Sequence, residues 1–211
     1  GGSLGPGAMP GSMRVPRRRR QTRTPEHGRP TMPCYAHGTM ARERTTPRPA
    51  SGSEVVLVRQ MEITDANLAG TVHGGTVMKM VDTAAGLAAA KHCGGLAVTA
   101  TMDEMTFLDP VFVGDVVTVK AMINEAFRTS MEAGVRVEAE TVATGRKVHT
   151  SSGYLVFVAI DGAGKPRPVP PLLAETDEQR RRQREAHVRR EARLDRKRAI
   201  EAARAAEGEL R

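Results

Sequence analysis

The stretch GTVHGGTVMKMVDTAAGLAAAKH, Gly70 to His92, decides how this chain folds. Its Ala, Val and Met residues leave a helix apolar on almost every side, and such a helix must be surrounded by other structure rather than laid on one layer. One carboxylate, Asp82, sits in its middle. A lone acid there either finds a partner or gives up its charge. Lys79, three residues earlier, offers the plainest partner, a solvated surface pair worth a few tenths of a kcal/mol at roughly helical spacing.

The flanking sequence supplies the surrounding layer. EVVLVRQM, before the helix, reads as a strand, and four more strand-like stretches follow it: LAVTATMDEMTF, DVVTVKAMINEAF, TSMEAGVRVEAETVA and RKVHTSSGYLVFVAI. They are rich in Val and Thr, partly alternate, and are separated by short polar or turn-forming segments. The order is β, α, then four strands expected as a meander. One long helix followed by a meander packs economically when an antiparallel sheet curls around the helix, an α+β fold. The expected domain covers residues 53–173, close to the commonest domain size.

Charge separates this domain from its flanks. The chain is +8 overall, but residues 1–50 hold ten Arg against two Glu, and residues 174–211 hold twelve basic against nine acidic residues. Residues 51–173 carry ten basic and thirteen acidic residues, so the basic excess belongs to the flanks. Residues 1–52, rich in Gly, Pro, Ser and Arg, lack apolar periodicity and are expected to be a disordered extension. Arg17 to Arg20 have no aromatic neighbours of the kind single-stranded nucleic-acid sites use, so a nucleic-acid partner is not expected. Residues 174–211 contain strong helix formers and mixed charge, and are expected to form an exposed, poorly anchored helix. No apolar run reaches the ~18 residues of a membrane span. Cys34 and Cys93 share no metal-ligand spacing with each other or with the histidines, so no metal site is expected and a reducing, cytoplasmic setting is.

Four pieces in this order, DANLAGTVHGGTVMKMVD, FLDPVFVGD, RTSMEAGVRVEAE and YLVFVAIDGAGKPRPVP, resemble the hotdog-fold acyl-CoA thioesterases, in particular the cytosolic acyl-CoA hydrolase branch. The resemblance covers residues 53–173. It implies a curved antiparallel sheet wrapped around one central helix, and assembly as a homodimer or a trimer of dimers. It also implies hydrolysis of acyl-CoA to a free acid and coenzyme A, without a cofactor. Asp82 falls on the family's catalytic carboxylate. His73, Gly74 and Gly75 fall on the segment that caps the helix and turns backbone N–H groups toward the thioester carbonyl. Thr71 is taken as the position where tandem relatives carry an asparagine, and Thr99 as a polar position facing the acid. Arg128 and Ser130 match a segment beside coenzyme A, with Lys147 a weaker candidate.

Chemistry supports these roles. A thioester is already electrophilic, so hydrolysis needs a base or carboxylate nucleophile and donors for the developing oxyanion. Free N–H groups at a helix N-terminus are such donors. Gly75 and Asp82 are seven residues apart, about 10 Å along a helix, so one thioester cannot meet both on the same helix. A second subunit is therefore expected to complete the site. His92 and Cys93 read as structural, and Met78, Val81, Met105 and Phe107 as acyl-chain lining. Two other readings remain open: a non-catalytic acyl-CoA-binding module, and a hydratase, which would want a His-centred proton-transfer pair that His73, in a turn, fits poorly.

Overall fold

The computed structural model describes residues 1–2 and 46–209. The expectations for Arg17–Arg20, Cys34 and most of the N-terminal extension therefore lie outside the described residues. The extension's last part does not follow its expectation. Residues 46–52 belong to the fold: β1 (Arg48–Pro49) pairs in parallel with β7 (Leu172–Leu173), and Ala50 is buried. A short 3-10 turn, Ser51–Ser53, leads onward, and the Ser53 hydroxyl, fully buried, donates to the Ala50 carbonyl and accepts from the Ile123 N–H.

The main sheet is antiparallel, with five strands: β2 (Val55–Gln60), β3 (Ala97–Phe107), β4 (Val116–Ala126), β5 (Ser130–Thr141) and β6 (Arg146–Ala159). Each expected strand is present, with ends moved by a residue or two. Their order across the sheet is β2-β4-β5-β6-β3, so the expected meander holds only for β4 to β6. A hairpin between β3 and β4 would need a short turn. Instead, the linking segment ties itself elsewhere: the Gly114 N–H donates to the Met61 carbonyl, and the Val111 carbonyl accepts from Val72. This delivers β4 to β2 and leaves β3 against β6 at the far edge.

Helix α1 (Gly74–Cys93) lies against this sheet. Alternate residues of β4 and β5 (Val117, Val119, Ala121 and Ile123; Met131, Ala133, Val135 and Val137) meet its Val77, Val81, Ala84, Ala85, Ala88 and Ala89 in one core. The alanines keep the contact face narrow, and Gly86 leaves room for the Phe157 ring, 3.5 Å from where a Cβ would stand. The helix ends at Gly94 in the left-handed region, φ 65°. Two guanidiniums complete the cap. Arg48 donates to the carbonyls of Lys91 and His92, and Arg167 to that of Cys93, placing positive charge at the negative end of the helix.

Helix α2 (Asp177–Glu209) is about 50 Å long at 1.5 Å per residue and packs on the outer side of the sheet. Outward-facing Glu132 of β5 is fully buried beneath it, with Arg189 Nη2 2.6 Å from Oε1. Arg193 meets Asp103 of β3, and Ala186 has no exposed surface. The helix is largely exposed, but its expected poor anchorage is corrected. Its partners are carboxylates on strands distant in sequence. No helix among the described residues is long and apolar enough to cross a membrane.

Candidate active site

The helix α1 N-terminus is built by the loop before it. Asp65 is gripped by both Arg59 and the Glu62 N–H, and its carbonyl accepts from the His73 N–H. Asn67 then closes the loop on itself. Its Oδ1 accepts from the N–H groups of Ala69 (2.8 Å) and Thr71 (3.2 Å), and its Nδ2 donates to Thr71 Oγ1 at 2.9 Å. Gly70, at φ 81°, makes the reversal possible. Thr71 thus serves in this chain as an internal partner of Asn67.

His73 is the N-cap of α1, and its Nδ1 accepts the Gly75 N–H at 2.9 Å. The sequence expectation gave both glycines free donors. Only the Gly74 N–H lacks an acceptor among the described residues. The Phe107 ring lies over Gly74, 3.4 Å from where a Cβ would be, so a side chain there would press on the ring.

Asp82 stands half-buried two turns further along. Its partner is not Lys79. Thr99, on β3, donates its hydroxyl to Asp82 Oδ1 at 2.7 Å, and Oδ2 takes no hydrogen bond among the described residues. The structure therefore brings Asp82 and Thr99 together and leaves one carboxylate oxygen available. Apolar side chains that would ordinarily be buried stand exposed in the single chain, Met78 and Leu87 on α1 to either side of Asp82 in sequence and Phe107 over Gly74. Met105 instead tucks its sulfur against Gly153, near Val81.

Arg128 and Ser130 occupy the turn into β5. Ser130 pairs with Val158, which also pairs with Val98, so this turn and Thr99 share one end of the sheet, two strands and about 10 Å apart. Lys147 is separated from them. It lies eleven residues along β6 from Val158, about 35 Å, and is paired with Glu140. His92 and Cys93 are buried at the other end of α1. Burial holds the His92 imidazole below its ordinary pKa, against the opposing effect of its bond to the Pro170 carbonyl; burial likewise pushes the Cys93 thiol up. Neither touches Asp82.

Comparison with known proteins defines the class. The thioesterase superfamily profile matches residues 69–145. The uncharacterized acyl-CoA thioester hydrolase YkhA of Bacillus subtilis is 37% identical over 127 residues, which cover 60% of this chain and 74% of that protein. A Staphylococcus aureus acyl-CoA hydrolase, solved with butyryl coenzyme A and coenzyme A, superposes with a TM-score of 0.69 at 34% identity, covering 78% of this chain and 99% of that one. The chain belongs to the thioesterase superfamily, and its fold is the hotdog fold. Within that superfamily it is a member of the acyl-CoA thioester hydrolases. The cytosolic acyl coenzyme A thioester hydrolase of mouse is 35% identical over 138 residues, and the match spans only 36% of that longer protein.

One residue escaped the sequence reading. The Staphylococcus hydrolase has also been solved with an asparagine, an aspartate and a threonine each replaced by alanine, positions separated by 15 and 17 residues. Asn67, Asp82 and Thr99 stand at the same intervals. By these intervals the asparagine of that hydrolase corresponds to Asn67 rather than to Thr71. The signal was present in DANLAG: an Asn two residues ahead of an Ala-Gly turn has its side chain committed to the loop that launches α1.

Proposed function

We propose that this protein hydrolyses acyl-CoA thioesters to a free acid and coenzyme A, with Asp82 as general base or nucleophile. The observation that carries the reading is the Asp82–Thr99 hydrogen bond, made within a triplet spaced as in the Staphylococcus hydrolase. Thr99 fixes one carboxylate oxygen, leaving the other to address a water or the thioester carbon. Gly74 supplies the oxyanion donor at the helix N-terminus. His73 holds the turn through Gly75 and acts as a positioning residue. Asn67 and the loop to Thr71 line the site, and Arg128 with Ser130 receives the coenzyme A moiety.

Because Gly74 precedes Asp82 by eight residues, about 12 Å of helix, the donor and the acid acting on one thioester come from two copies. The exposed apolar residues on α1 and over Gly74 support that arrangement, as does the hexameric state of an acyl-CoA thioesterase that is 35% identical to this chain. The hydrolase unit is residues 46–173, braced by α2. A cytoplasmic setting accords with the cytosolic thioester hydrolases among its relatives.

Release of free thiol from acyl-CoA tests the reading. Turnover that disappears in Asp82→Asn supports it; binding of acyl-CoA without thiol release would make the protein a binding module instead. Mixed assemblies test the shared site. If Asp82→Asn and Asn67→Ala are each inactive, a mixed dimer has one site free of both lesions. Random exchange then restores roughly a quarter of wild-type activity. Persistent inactivity after demonstrated exchange would place both residues in one protomer's site.

A further inference from the structure

Helix α2 crosses the outer face of the sheet, and its basic side chains meet the strands in turn. His187 Nε2 lies 2.7 Å from Glu125 of β4, and Arg189 meets Glu132 of β5 while its guanidinium stacks 3.6 Å from the ring centroid of Tyr154 of β6. One helical turn later, Arg193 Nη1 reaches Asp103 Oδ2 of β3 at 2.5 Å, with Arg196 at 3.5 Å from the other oxygen. Arg181, Arg182 and Arg198, by contrast, pair within the helix.

Asp103 is not an ordinary strand residue. Met102 pairs with Leu155 and Glu104 with Tyr154, so Asp103 is the extra residue of a bulge, and its carboxylate is only 8% exposed. A second register shift lies between Thr99 and Thr101. Among the described residues β3 pairs only with β6, so its register there rests on one ladder with two irregularities. A slip of one residue would turn Thr99 to the opposite face of the sheet.

We propose that Arg193, through Asp103, is a positioning residue for the Asp82–Thr99 pair: by pinning the β3 bulge from outside the sheet, it fixes the register that brings the Thr99 hydroxyl to Asp82. The catalytic consequence rests on the thioesterase reading above; the structural one does not. The C-terminal helix is then part of the site's framework, although it touches no reacting atom.

The test combines kinetics with amide hydrogen exchange on the full chain. In Arg193→Ala, kcat falls about tenfold while KM stays within about twofold. Exchange speeds up across residues 97–107 and stays unchanged in residues 116–126. Arg193→Lys, which keeps a cation in reach of Asp103, recovers most of both. The decisive arm is the Thr99→Ala background, where Arg193→Ala costs less than about twofold in kcat because the link is already cut. Equal losses in both backgrounds would mean general destabilisation and overturn the proposal, as would unaltered exchange in residues 97–107. Should Arg193→Ala not fold, Asp103→Asn removes the charge pair at constant size and is read by the same criteria. Exchange does not depend on turnover: a wild-type chain without thioesterase activity refutes the functional reading, while the exchange result still decides the clamp.

Discussion

The two α-helices among the described residues are held against one sheet by opposite means. Helix α1 buries nine of its twenty residues, seven of them Val, Met or Ala, and carries its single acid toward β3. Helix α2 has one buried residue among those described, Ala186, and is fastened by guanidiniums to carboxylates that it shields from water. Apolar burial on the inner face is spread over many contacts and needs no exact partner. The outer attachment concentrates on a few charge pairs. Losing one partner there is costly, because a charge remains buried without compensation.

That contrast breaks most sharply at Arg189. Burial works against its charge, but the hydrogen bond and charge of Glu132 outweigh this and raise its pKa above the ordinary arginine value. Arg189→Ala leaves the fully buried Glu132 with one side-chain donor among the described residues, Asn124 Nδ2 at 3.2 Å. A loss of about 3–5 kcal/mol is expected, measured by denaturant unfolding. The paired change Glu132→Leu with Arg189→Met should restore most of it, since shape is kept and no charge is stranded. If Arg189→Ala unfolds like the wild type, the outer helix is not held in this way.

On the inner face, the corresponding change is chemical. Asp82→Asn keeps the size of the side chain and can still meet the Thr99 hydroxyl. An amide can neither take up a proton nor act as a nucleophile, so kcat should fall ~10²-fold or more with thermal stability and assembly unchanged. Stability that moved with activity would make Asp82 an anchor rather than a reacting group.

The same contrast explains what was legible in the sequence. Helix α1 announces itself because its burial is written in its own residues, and the strands follow from their Val and Thr patterns. The neighbour of Asp82 was legible as a candidate in Thr99 only through the family resemblance, since the residues alone offered Lys79 as the plainest partner. The pairing of β3 with β6 was not legible, because it depends on where the segment between β3 and β4 finds its hydrogen bonds. Neither was the attachment of α2: Arg189 resembles its neighbours until Glu132, 57 residues away, is placed beneath it. Asn67 differs again: DANLAG marks it as a residue committed to its own turn, and that commitment does not by itself separate a site residue from a structural one.

A smaller effect is expected where the chain enters the fold. A form beginning at Thr46 should keep the stability and turnover of the whole chain. One beginning at Ser51 loses β1, the buried Ala50 and the Arg48 bonds to the α1 C-terminal carbonyls. About 1–3 kcal/mol should go with them, seen as a lowered unfolding midpoint. Equal midpoints would show that Arg167 alone suffices at that end of the helix.

The smallest effect concerns His92, where the inner face holds a titratable group in apolar surroundings. Burial is the largest influence and lowers its pKa, the Pro170 carbonyl bond opposes that, Arg48 adds to the lowering, and Glu125 opposes it. The unfolded chain therefore binds a proton at His92 more readily than the folded one. Its contribution to stability is complete above the ordinary value of about 6.5 and is lost as pH falls from there through the depressed folded value, with a slope of at most about 1.4 kcal/mol per pH unit. His92→Gln retains an N–H donor for the Pro170 carbonyl but cannot titrate. Unfolding free energies of the two proteins should consequently run parallel above pH 7 and converge or cross below pH 6.5, as the wild type alone loses the His92 contribution. Curves that stay parallel to acid pH would mean that the folded protein accepts a proton at His92 as readily as the unfolded chain, and that this end of α1 is wetter than its burial indicates.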